Sequence, residues 1–129
     1  MSTELLLLLV IFQIKHLVAD YYLQFPYMYE NKGKKAFSDW FEPLTFHAGT
    51  HALITFTIVL VYYFTVQKVS PFVLSLAPMF DYVTHFVIDR WKATRGHHPG
   101  ESMFWIELGI DQMLHHIVGI LIVLAIIQQ

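Results

Sequence analysis

Cysteine is absent from the 129 residues, which excludes disulfides, thiolate metal ligands and a cysteine nucleophile and leaves only nitrogen and oxygen donors for a metal. Charge is nearly as scarce: 14% of residues are Asp, Glu, Lys or Arg against 56% hydrophobic, too few for an ordinary soluble domain. The net charge is −2, and the basic residues gather in short loops without forming a face, so no nucleic-acid partner is expected. Internal repeats and low-complexity segments are missing too. Residues 4 to 14 resemble a signal peptide, but no basic stretch precedes them and no small-residue cleavage site follows, so they read as a retained first span.

What remains is long apolar runs. Four stretches approach the roughly 20 residues that a bilayer demands, at about 3–25, 44–66, 71–90 and 103–127. They predict a single-domain, all-α integral membrane protein, a four-helix antiparallel bundle with up-and-down topology. Six of the loop Lys and Arg residues (Lys32, Lys34, Lys35, Arg90, Lys92 and Arg95) fall between spans one and two or three and four, against Lys68 alone in the middle turn. The positive-inside rule then makes those two loops cytoplasmic, with both termini outside a bacterial inner (cytoplasmic) membrane. Ala36 to Glu42 reads as a short amphipathic helix lying on the membrane.

Each span carries acidic or histidine residues four apart: His16 with Asp20, His47 with His51, Asp81 with His85 and Asp89, and Asp111 with His115. That spacing puts both side chains on one helical face, about a turn apart. In up-and-down topology all four sets fall in the inner-leaflet half. Four mid-helix aspartates left alone would cost roughly 10 to 14 kcal/mol on the insertion scale. A structural zinc supplies roughly 10 to 16 kcal/mol, enough to offset them. The nine residues His16, Asp20, His47, His51, Asp81, His85, Asp89, Asp111 and His115 are therefore the predicted metal ligands. Their four carboxylates balance two divalent cations, zinc first, with manganese or iron as alternatives.

Gln13, Gln24, Thr55, Gln112 and His116 lie where they can orient those ligands. Two metals in a dry cavity generate hydroxide at neutral pH, so hydrolysis of a lipid or lipid-linked substrate, such as one bearing phosphate, is the expected chemistry. Asp89, Asp111 and His116 are the candidate catalytic groups, and Lys15, Arg90, Lys92 and Arg95 the candidates for meeting a headgroup. Lys15 also reads as a snorkelling side chain. His97 and His98 are expected in solvent, Trp105 as an interfacial anchor, Glu107 as a solvated or partly buried acid, and Gly49 and Gly109 as close-packing positions. Membrane lipids are the expected surroundings and partners. Two other readings compete: a metal-ion or proton conduit, and a phage accessory protein whose metal only holds the bundle together.

The segments HLVADYYLQ (16–24), HAGTHALIT (47–55), DYVTHFVID (81–89) and DQMLHH (111–116) resemble a family of small phage and bacterial integral membrane proteins defined as a domain of unknown function. The resemblance covers nearly the whole chain and implies no activity. In style alone the pattern is also similar to membrane-bound metal-dependent hydrolases.

Overall fold

The structure is a computed structural model, and it describes residues 3–128. Five α-helices form, and no strand is present among the described residues: α1 (Thr3–Leu17), α2 (Pro26–Asn31), α3 (Phe37–Thr65), α4 (Pro71–Ala93) and α5 (Ser102–Ile127). α1 runs on into a π-helical turn, Val18–Tyr22, and the combined segment and the other three long helices are each apolar and long enough to cross a membrane. The long helices pack as an antiparallel bundle in the cyclic order α1, α3, α4, α5.

Local chemistry sets the boundaries. Pro26 and Pro71 open α2 and α4, where a missing N–H has no helical acceptor to lose. The Ser70 hydroxyl caps α4 by accepting from the Val73 amide at 3.3 Å. Beyond α4, Gly96 turns the chain with φ of 76°. α3 begins at Phe37, so the expected surface helix at 36–42 is the first part of span two. At about 1.5 Å per residue α3 is about 43 Å long, more than a crossing of roughly 30 Å of hydrocarbon needs, and its first turns are rich in aromatic residues. Phe37, Trp40 and Phe41 cluster there with Phe86 of α4.

Two layers fill the bundle. One half is an apolar plug in which Leu8, Phe12, Val59, Tyr62, Val118, Ile122, Val123 and Ile126 pack together. In the other half, beside a few apolar residues such as Leu44 and Ala48, the buried side chains include Lys15, His16, His47, His51, Asp81, His85, Asp89, Glu107, Asp111 and His115. The expected close packing at Gly49 and Gly109 is not found, since a Cβ at either would meet open space. The tight approach is at Gly33, where a Cβ would lie 2.8 Å from the Ala93 carbonyl oxygen, holding the α2–α3 connection against the end of α4.

Replacing Gly96 with Ala forces a side chain into the left-handed region and should lower unfolding free energy in detergent by about 1–2 kcal/mol. Unchanged denaturation would contradict the turn geometry.

Candidate metal centre

Helix periodicity presents each i, i+4 pair to the bundle axis, and the antiparallel packing brings the pairs to one level. Three groups of possible ligand atoms converge, each with all members within 4.8 Å of one another: His16, Asp20, His51 and His85; His47, His85 and Asp89; and Asp89, Asp111 and His115. His85 and Asp89 are each shared by two groups, so the three groups form one continuous centre.

Asp20 lies on the π-helical turn, which is closed by the Leu23 amide bonding to the Val18 carbonyl at 3.0 Å. Such wide turns concentrate at functional sites. The Asp20 carboxylate faces imidazoles from two neighbouring elements: His16 Nε2 at 3.1 Å, His51 Nε2 at 2.9 Å and His47 Nε2 at 3.4 Å. Asp89 meets His47 Nε2 and His115 Nε2, both at 3.1 Å. A tetrahedral ion with bonds of about 2.0–2.1 Å holds its ligand atoms about 3.3–3.4 Å apart, close to these separations. The His51, His85 and His115 rings stack, with centroids 3.4 Å and 3.9 Å apart.

Several of these atoms are buried without a hydrogen bond among the described residues: both ring nitrogens of His47 and His85, Nδ1 of His51 and His115, and Oδ1 of Asp111. His47 Nε2 and both His85 nitrogens lie 3.1–4.0 Å from carboxylate oxygens, near them but not aligned for hydrogen bonding. Buried polar atoms left this way cost about 1–3 kcal/mol each, a penalty that a cation among them relieves.

Asp81 departs from the expected ligand set. Its Oδ2 accepts from Lys15 Nζ and from the Thr55 hydroxyl, each at 2.5 Å, and its Oδ1 lies 3.5 Å from His85 Nδ1. It belongs to none of the three groups and instead braces His85 from behind, as carboxylates behind metal-bound histidines do. Lys15 correspondingly neither snorkels nor meets a headgroup; it is 6% exposed, inside the bundle. Spacing could not show this, because the partners are 66 residues apart in sequence.

The remaining candidates sort by position. Gln112 Oε1 lies 3.3 Å from His16 Nε2, its Nε2 donates to Asp111 at 3.0 Å, and Thr55 braces Asp81. Gln13 is exposed and takes no such place, while Gln24 buries its amide nitrogen. His116 sits at the rim, half-buried, its ring 5.4 Å from that of His16. The Arg90 guanidinium is not free for a headgroup: it donates to the carbonyls of Lys32 (2.7 Å) and Lys34 (3.1 Å) and stacks on Trp40. Lys92 lies over Phe104 and Arg95 over Trp91.

Two features lie outside the expected site. Lys32 reaches in from the loop, its Nζ donating to Asp89 Oδ2 at 2.8 Å. Glu107, one turn before Asp111, is buried and accepts from His97 Nδ1 at 2.9 Å, with Arg95 3.7 Å away. His97 is thereby tied to α5, while His98 is exposed as expected.

Fold and site together define a bundle of membrane-length helices enclosing a buried histidine and aspartate centre. Residues 7–129 match the family described as "Protein of unknown function (DUF3307)", and the chain belongs to it. No curated protein and no solved structure matches the chain.

Lys15→Met should cost about 3–5 kcal/mol of stability in detergent by stranding the Asp81 charge, and Lys15→Met combined with Asp81→Asn should recover most of that loss. Equal losses in the single and double variants would contradict the pairing.

Proposed function

We propose that this chain is a metal-dependent hydrolase of a bacterial inner membrane, acting through a dinuclear centre on a lipid or lipid-linked substrate. The observation that carries the reading is the meeting of Asp20, Asp89 and Asp111 with five imidazoles in three mutually close groups that share His85 and Asp89. His16, Asp20, His51 and His85 would hold one ion and Asp89, Asp111 and His115 the other, with His47 between Asp20 and Asp89. All are imidazole or carboxylate donors, which suits zinc first and then manganese or iron.

When bound, such ions lower the pKa of a coordinated water toward 7. The chain's own groups do the rest. His116, at the rim and in none of the three ligand groups, is placed to move the water's proton to the departing oxygen. Water's oxygen bonds to the carbonyl carbon or phosphorus as the ester bond to that oxygen breaks.

A lipid substrate is supported by depth and by a groove. The centre lies within the membrane-length part of all four helices. A furrow of about 390 Å³ between α1 and α3, walled by Leu7, Ile11, Ile54, Ile58 and Val61, ends within two turns of His16 and one of His51. It suits an acyl or prenyl chain. A through-going conduit is disfavoured, because the apolar plug fills the bundle beyond the centre. The positive-inside rule, applied to the basic loops, supports putting that plug in the outer leaflet and both termini outside.

Purified protein should carry about two equivalents of transition metal, and Asp89→Ala should lose metal and thermal stability together. Asp111→Ala should abolish product formation in a lipid-extract turnover screen. Metal-free protein after chelator-free purification, or product persisting in the Asp111 variant, would contradict the reading.

A further inference from the structure

The substrate class follows from a charge count at the centre, and this step rests on the dinuclear reading above. Asp81 is neutralised by Lys15 and does not face the ions. Asp20, Asp89 and Asp111 therefore bring three negative charges against the four positive charges of two divalent ions. Lys32 adds a fifth positive charge through its contact with Asp89. With the coordinated water still un-ionised the buried centre would stand at +2, and an uncompensated charge of that size is not sustained in a low-dielectric interior. A dianion completes it. Phosphate monoesters carry about −1.5 to −2 at pH 7, whereas carboxylic esters and amides carry none.

We propose that the centre takes a phosphate monoester, and that Lys32 is the residue that recognises the phosphate group. Lys32 is positioned for this. Its side chain is 20% exposed, against 6% for Asp89, so it runs from the surface to the centre and ends with its ammonium on Asp89. An ammonium has three N–H donors, and bonding to Asp89 leaves others for phosphate oxygens. The backbone beneath it is pinned: Arg90 holds the Lys32 and Lys34 carbonyls, and Gly33 lies so close to Ala93 that a side chain there would displace the segment. In the reaction, water's oxygen bonds to phosphorus, the P–O bond to the alcohol breaks, and the water's proton passes to the alcohol oxygen. The products are inorganic phosphate and the lipid alcohol.

The test uses the full chain loaded with zinc in detergent and titrated calorimetrically with inorganic phosphate. Wild type should bind, Lys32→Gln should bind at least tenfold more weakly at undiminished zinc content, and Lys32→Arg should retain most of the affinity. Gly33→Ala, which shifts the segment without touching its charge, should fall between. A second arm places the protein in nanodiscs with and without phosphatidic acid. Displacement of bound phosphate by phosphatidic acid identifies a lipid headgroup as the source, and lack of displacement identifies a free or soluble phosphate. Both outcomes uphold phosphate recognition. Zinc-loaded protein that ignores phosphate, or binds it equally well as Lys32→Gln, would overturn the inference and leave the metal centre standing. Protein that takes up no zinc would overturn both.

Discussion

Carboxylates inside a hydrocarbon slab must have positive charge beside them, and the architecture of this chain follows from how it is supplied. A charge-poor sequence has few sources of it: a lysine, an arginine, a protonated imidazole or a metal ion. Lys15 answers Asp81 directly, across the bundle. Lys32 reaches Asp89 from the interfacial loop. Among the described residues no lysine forms an ion pair with Asp20 or Asp111, and imidazoles stand beside them instead. Neutral imidazoles do not cancel charge, but they are good ligands for an ion that does.

Division of the bundle into two layers serves the same end. The apolar plug gives the helices a conventional packed core, so the polar half can keep buried nitrogens unpaired without losing the fold. Polar groups that orient others occupy the back of the centre: Asp81 behind His85, Thr55 behind Asp81, and Gln112 between His16 and Asp111. The membrane-facing surface stays apolar, with Leu7, Ile14, Leu53, Val83, Val87 and Ile117 all exposed on the helices. The loop carrying α2 covers the polar end, clamped by Arg90 and by the contact of Gly33 with Ala93.

Local periodicity carried most of the fold and the convergence of the four helices. Four apolar runs place the long helices to within a few residues, except that α3 starts at Phe37, because the less apolar segment before Pro43 is helical too and joins the span without a break. The i, i+4 pairs locate the centre because helix geometry alone puts each pair on one face. Identities of long-range partners were hidden. Lys15 looks like any lysine near a span end, and only packing shows that it turns inward to Asp81. Arg90 looks available to a headgroup until the loop carbonyls are seen around it. Lys32 acts from a loop, where no periodicity exists to reveal it, whereas Glu107 continues the four-residue spacing of Asp111 and His115 on α5 and only its loop partner His97 was hidden.

X-ray absorption at the zinc edge of purified protein bears most directly on whether cations hold this centre together. Nitrogen and oxygen scatterers at about 2.0–2.1 Å, imidazole scattering, and a second metal at about 3.5–4 Å are the expected result. An edge too weak for stoichiometric metal, with the same absent for manganese and iron, would show that the carboxylates persist in the bundle by some other means.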